Sequence, residues 1–95
     1  MKTWLTFLIV ASLCIAASGA SAEYAAGVSF YKKQQYAECI RELRAYTEKT
    51  PDPRAYYLMG YASYKLRDFP GSREYFRKTY LLDPNFGPSS LEMKK

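Results

Sequence analysis

The residue types that could perform catalysis are few in this 95-residue chain, and they are not arranged for it. Histidine is absent, and the two cysteines, Cys14 and Cys39, lie far apart. Without an imidazole, neither thiol has the neighbouring base that activates a cysteine nucleophile. Paired-carboxylate, metal-ligand, phosphate-loop and nucleophilic-serine motifs are missing as well. The sequence therefore predicts a protein that is not an enzyme and uses no metal or cofactor.

Tyrosine is the residue type best suited to recognition, and the chain has ten. A tyrosine offers a large apolar ring and a polar tip at a low entropic cost. The net charge is +5, or +4 without Lys2, and it is not gathered into long basic runs. A mildly basic surface of this kind favours acidic peptides or anionic headgroups. No groove-reading or RNA-binding motif accompanies it, so nucleic acid is not an expected partner.

The amino-terminal segment has the three parts of a secretory signal. Lys2 supplies the positive charge, residues 4–17 are predominantly apolar, and Ala20-Ser21-Ala22 has the small residues that signal peptidase accepts. These features predict a signal peptide over residues 1–22 with cleavage before Glu23. The mature chain would be exported, to the periplasm first and as a secreted protein second, since it has neither a second cysteine nor an Asn-x-Ser/Thr site.

Two other interpretations of this segment stay open. It could remain as an uncleaved anchor, although its apolar run is shorter than the roughly 20 residues of a spanning helix. It could also be lipidated at Cys14, but Leu13 stands where a lipobox has a small residue. Cleavage would leave no integral membrane span.

The remaining chain carries an internal repeat with an interval of 33 residues, from Gly27 to Gly60 and from Pro51 to Pro84. In each unit, apolar residues recur with helical spacing on both sides of a polar turn. The prolines disfavour helix in the residue before them and so end each unit. We therefore predict an all-α fold of two helix-turn-helix pairs, over residues 23–52 and 53–86, and a short polar tail over residues 87–95.

The two units, together residues 23–86, resemble the tetratricopeptide repeat family. The second unit resembles it more closely, through Tyr56-Tyr57-Leu58-Met59-Gly60, Asp68-Phe69, and the ending Leu82-Asp83-Pro84-Asn85. The first keeps fewer of the family's residues and has Glu23 and Ala26 at positions where the family has large ones. It resembles a degenerate amino-terminal repeat.

The resemblance also implies which residues serve packing. Helices that cross closely need a small side chain at the contact. The residues assigned to packing or to ending the pairs are Gly27, Cys39, Gly60, Ser72, Pro51 and Pro84. A reactive thiol is the alternative for Cys39, and a buried one is the better-supported reading.

In this family the first helix of each pair lines a concave face, which implies a set of peptide-binding residues here. Those residues are Tyr24, Val28, Tyr31, Lys32, Arg54, Tyr57, Tyr61, Tyr64 and Lys65. For Tyr57 and Tyr64, a place in the core is an equal alternative to a place in the groove. For Lys32 and Lys65, a solvated position is an equal alternative to ligand contact. Because Val28 and Tyr61 stand where asparagine would be needed, the sequence does not resemble the family's carboxylate clamp.

Two repeats are fewer than the three that such a stack usually needs, so an apolar edge is expected on the last helix, ending at Leu82. The resemblance implies a scaffold or adaptor that binds a protein or peptide, and the predicted signal peptide implies that it does so in the cell envelope. The alternative is a structural subunit that self-associates, or docks into a larger assembly, through its exposed terminal helix.

Overall fold

The computed structural model describes residues 19–91, which form four α-helices and one 3₁₀ turn. The helices are α1 (Gly19–Lys32), α2 (Tyr36–Lys49), α3 (Pro53–Lys65) and α4 (Phe69–Leu82), followed by the 3₁₀ helix Pro88–Leu91. Helix α1 packs on α2, and α3 packs on α4. The two pairs contact each other mainly through α2 and α3. The predicted all-α arrangement of helix pairs is confirmed.

The core lies where the two pairs meet. Its fully buried side chains include Leu43, Leu58 and Met59, with Cys39, Ala55 and Ala62 between them. Burial of this apolar surface is the main term that stabilises the stack. Gly27, Cys39, Gly60 and Ser72 are all buried, as residues at close helix contacts must be. Pro51 and Pro84 are exposed and follow the ends of α2 and α4. Their role is therefore to end the helices and not to pack in the core.

The turns inside the two pairs have the same backbone geometry. Gln34 and Arg67 have φ angles of 64° and 66°, in the left-handed region that non-glycine residues rarely occupy. In both turns, the residue after this position donates its N–H to a carbonyl five positions earlier, at 2.8 Å. These bonds satisfy the free carbonyls at the ends of α1 and α3 in a Schellman arrangement. The 33-residue interval of the sequence is therefore an interval of structure as well.

Side-chain caps begin the two helices of the second pair. The carboxylate of Asp52 accepts the N–H of Arg54 at 3.0 Å, and Asp68 accepts the N–H of Gly71 at 3.1 Å. Both caps satisfy amides that have no partner within the helix. Pro53 and Pro70 follow the caps in the first helical turn, where their missing N–H has no cost.

The described part of the chain extends beyond the predicted helix pairs at both ends. Helix α1 begins at Gly19, ahead of the predicted cleavage point before Glu23. Residues 1–18, most of the predicted signal peptide, lie outside the described part of the chain, as do the last four residues of the predicted tail. The described part of that tail is not simply polar, because Leu91 packs against the core.

Candidate functional site

The surface formed by the first helices of the two pairs contains a cavity of about 330 Å³, which we term the tyrosine cavity. Its lining comes from α1, α3 and the 3₁₀ turn, and consists of Tyr31, Tyr57, Leu58, Tyr61, Pro88 and Leu91. Tyrosines 31, 57 and 61 belong to the predicted peptide-binding face, so the fold brings these three together. Phenolic rings around an apolar floor can bury a side chain of a partner and leave a hydroxyl at the rim to orient it.

Tyr57 is the buried support of this cavity. Only 6% of it is exposed, and its ring centroid lies 4.9 Å from that of Phe86, 5.2 Å from that of Tyr61 and 5.5 Å from that of Phe76. Burial is the main cause that raises the pKa of Tyr57 to about 12. Of the two alternatives left for Tyr57, the structure favours the core.

Tyr61 and Tyr31 present the accessible part of the cavity. Tyr61 is 39% exposed, and its ring meets Phe76 edge to face at 5.1 Å. Tyr31 is half-buried and meets Tyr36 edge to face at 5.7 Å. Burial is the main cause of the raised pKa of Tyr31, so its hydroxyl remains protonated and able to donate at neutral pH. Aromatic neighbours fix both rings, so they lose little freedom when a partner binds.

Three more of the predicted residues share a separate depression on α1. Tyr24, Val28 and Lys32 line this space of about 520 Å³, together with Ala25, Ser29 and Lys33. Lys32 is exposed, which is compatible with either of its alternatives. None of the residues that line this depression lines the tyrosine cavity.

Tyr64 and Lys65 lie at the carboxyl end of α3. They line a depression of about 230 Å³ with Arg67 and Phe69. Tyr64 is 54% exposed and meets Phe69 edge to face at 5.5 Å, so the structure favours the surface for this residue. Lys65 and Arg67 are exposed cations beside it. This end of the face therefore joins an aromatic ring to positive charge.

Arg54 is engaged within the protein. Its guanidinium contacts the carboxylate of Asp52, with Nη2 to Oδ2 at 2.7 Å, and its Cζ lies 4.4 Å from the ring centroid of Tyr24. The hydroxyl of Tyr46 donates to the same carboxylate at 2.8 Å. Burial by itself raises the pKa of Asp52, but the bonds from Arg54 and Tyr46 outweigh it and hold that pKa below its usual value. This network ties α1, α2 and α3 together, so Arg54 contributes to the structure of the fold.

Sequence reasoning missed two groups of residues that shape the site. Asp52 had a readable signal, because an aspartate directly before a proline at a helix start is typical of an N-cap. Pro88 and Leu91 had a weaker one, as apolar residues in a tail expected to be polar, and Phe86 was only the last residue of the predicted second unit. Their contact with the tyrosine cavity is long-range, and no local pattern indicates it.

Other kinds of site find no support in the described residues. No group of three or more histidine, cysteine, aspartate or glutamate side chains lies close enough to hold a metal ion within residues 19–91. Cys39 is fully buried, and burial raises the pKa of its thiol to about 12, which suppresses its nucleophilic form. In the same range, no helix is long and apolar enough to cross a membrane.

Comparison with known protein families finds a match for the second helix pair. Residues 53–86, which are α3, α4 and the chain up to Phe86, match the family model of the tetratricopeptide repeat. No catalytic family is found, and this repeat is typically a non-catalytic scaffold. No curated protein and no solved structure matches the chain significantly. The protein is a small helical one that contains a tetratricopeptide repeat at residues 53–86, a unit that suggests a role in protein–protein interaction.

Proposed function

We propose that this protein is an exported scaffold or adaptor that holds an extended peptide segment of a partner protein against the first helices of its two pairs. The observation that carries the proposal is the convergence of Tyr31, Tyr57 and Tyr61 on one cavity of about 330 Å³. Rigid tyrosines that surround an apolar floor are common anchors at protein interfaces.

The charge in the two depressions beside the first helices indicates which peptides fit. Lys32 on α1, Lys65 at the end of α3 and Arg67 in the turn after α3 are exposed cations. A partner segment with an apolar anchor and flanking acidic residues would complement both features. The ion pairs would contribute mainly to association rate and orientation, because exposed pairs add little affinity.

A display selection on the full chain tests this function. Random peptides are selected on the purified protein, and the strongest binder is measured against variants by fluorescence anisotropy. Tyr61→Ala should weaken binding by about tenfold or more, as loss of an aromatic anchor does. Tyr80→Ala is the matched control, because Tyr80 is 43% exposed on α4 and does not line the cavity. A binder that tolerates the Tyr61 change would contradict the proposed face.

The cell envelope is proposed as the location on the basis of residues 1–22 alone. Expression of the full chain in a bacterium, followed by fractionation and intact mass measurement, tests it. A periplasmic product whose mass corresponds to a start at Glu23 is the expected result. A full-length product in the cytoplasm would contradict export, and a full-length product in the membrane fraction would indicate the uncleaved anchor.

A second candidate function, as a self-associating subunit, has its own supporting observation. Leu81 and Leu82 on α4 are 69% and 47% exposed, and they line a depression of about 280 Å³ with Pro51, Tyr56 and Lys78. Exposed leucines at a helix edge are typical of interaction surfaces. Sedimentation equilibrium over a dilution series tests this candidate. A dimer that dissociates on Leu81→Asp would favour it, whereas a monomer at all concentrations would exclude it.

A further inference from the structure

The chain beyond the last helix turns back onto the tyrosine cavity. After α4 ends, Phe86 is 6% exposed and rests on the ring of Tyr57 at a centroid distance of 4.9 Å. The following 3₁₀ helix, Pro88–Leu91, supplies two of the side chains that line the cavity. We term residues 87–91 the tail segment. The protein thus covers part of its own candidate binding surface.

The tail segment reaches both of the first helices. Pro88 and Leu91 share the cavity with Tyr31 of α1 and with Leu58 and Tyr61 of α3. Leu91 is half-buried and packs against the hydrophobic core cluster. A proline and, three residues later, a leucine therefore form part of the wall of the cavity and cover apolar surface of both first helices that a partner could otherwise contact.

Few contacts with residues 19–86 hold the tail segment in place. Its 3₁₀ helix has only four residues, and Ser89 and Ser90 are exposed. The N–H of Ser90 donates to the carbonyl of Gly87 at 2.9 Å, and the N–H of Gly87 donates to Oγ of Ser90 at 3.4 Å. These bonds close the segment on itself and would survive its departure from the cavity. A segment with few buried contacts opens locally at low cost in free energy.

We propose that the tail segment is a displaceable, intramolecular cover on Tyr31, Leu58 and Tyr61, and that a partner binds to these residues in its place. The partner that replaces it is an extended peptide with a proline and, three residues later, a leucine or similar aliphatic residue. This inference rests on the proposed function and specifies both the partner's chemistry and the regulation of its binding. Phe86 stays packed against Tyr57 when the tail segment leaves.

The tail segment and a partner peptide would compete for the same surface. A tethered segment competes at a high effective concentration, so it lowers the fraction of molecules that are free to bind. Apparent affinity falls in proportion to that fraction, and a segment closed in about nine of ten molecules weakens binding about tenfold. Partner segments that lack the two apolar anchors would not displace it.

The test uses the full chain, labelled with ¹⁵N, and the synthetic peptide Asn-Phe-Gly-Pro-Ser-Ser-Leu as the probe. This is the sequence of residues 85–91. NMR titration to millimolar peptide reports binding through the amide signals of Tyr31 and Tyr61. The variants Leu91→Asp and Pro88→Asp loosen the tail segment, and Pro88 is exposed, so the second substitution preserves folding even if the first does not. Leu66→Asp is the matched control, because Leu66 is 49% exposed and does not line the cavity.

Peptide binding about tenfold tighter in either tail variant than in the wild-type chain, with the Leu66 variant unchanged, is the expected result. Equal affinity in all four proteins would overturn the inference, because the tail segment would then not compete. Absence of shifts at Tyr31 and Tyr61 in the tail variants would also overturn it, since the cavity would not accept this peptide. A peptide with both anchors changed to serine should not bind. The proposed function is judged separately, by whether the display-selected binder depends on Tyr61.

Discussion

The ring of Phe76 lies so close to the backbone of Gly60 that a Cβ atom on residue 60 would stand 2.7 Å from it. The first pair has the same relationship 33 residues earlier, where Leu43 lies against Gly27. In both pairs a large side chain of the second helix therefore fills the space left by a glycine of the first. This close contact brings the helices together and positions Tyr57 and Tyr61, whose rings both meet Phe76.

Replacing Gly60 should loosen the second pair. Gly60→Ala is expected to lower the free energy of unfolding by about 2 kcal/mol, because an added methyl group forces a packed ring to move. Chemical denaturation monitored by circular dichroism measures the change. Gly87→Ala is the control, since a Cβ there meets no atom of residues 19–91 within 4 Å. Gly60→Ala combined with Phe76→Leu should recover part of the loss, and strict additivity of the two changes would contradict the contact.

The network around Asp52 should govern part of the stability. Asp52→Asn removes the charge that Arg54 and Tyr46 contact, and should lower the free energy of unfolding at pH 7 by about 2 kcal/mol. Thermal and urea denaturation measure it. Glu48→Gln, at an exposed position of α2, should change stability by less than about 0.5 kcal/mol.

The same network predicts the direction of a pH effect. The pKa of Asp52 is lower in the folded protein than in the unfolded chain, so the unfolded chain binds its proton first as pH falls. Its contribution is complete above the unfolded pKa of about 4 and is lost as pH falls through the folded pKa. The stability difference between wild type and Asp52→Asn should therefore shrink below about pH 4. A difference that stays constant to pH 2 would contradict the assigned role.

The turn between α3 and α4 should accept glycine. Arg67 has a φ of 66°, which is unfavourable for a side chain with a Cβ, so Arg67→Gly should raise the free energy of unfolding by about 0.5 to 1 kcal/mol. A thermal melt detects a change of this size. Arg73→Gly, inside α4 and exposed, should instead lower it by about 1 kcal/mol. Equal losses in both variants would show that the side chain of Arg67 matters more than its backbone.

The hydroxyl of Ser63 should be dispensable. Ser63 is 1% exposed, and its Oγ has no hydrogen-bond partner among the residues that the structure describes. Ser63→Ala should raise the free energy of unfolding by about 1 kcal/mol, because a buried polar atom without a partner is unfavourable. Thr79→Val is the contrast: its hydroxyl donates to the carbonyl of Tyr75 at 3.0 Å, so its removal should be destabilising. Urea denaturation at one pH measures the free energy of unfolding of both variants. A lower free energy of unfolding in Ser63→Ala would mean that the hydroxyl of Ser63 stabilises the fold.

The helix pairs could be predicted from the sequence because the signals that produce them are local. Apolar spacing, a polar turn and a terminating proline each act within a few residues, so the 33-residue interval anticipated both turns, at Gln34 and Arg67. The need for a small residue at each helix crossing was also readable, since Gly27 and Gly60 stand in register.

The division of the tyrosines between core and surface was decided only by the tertiary structure. Tyr57 and Tyr64 lie two turns apart on the same helix, and local pattern treats them alike. Tyr57 is buried because Phe76 and Phe86, from distant parts of the chain, pack against it, whereas Tyr64 is 54% exposed. The engagement of Arg54 with Asp52 and the return of Leu91 to the cavity are likewise products of the folded arrangement. Burial depends on what the rest of the chain brings to a residue, and that is set by packing between elements rather than by the residue's own neighbours in sequence.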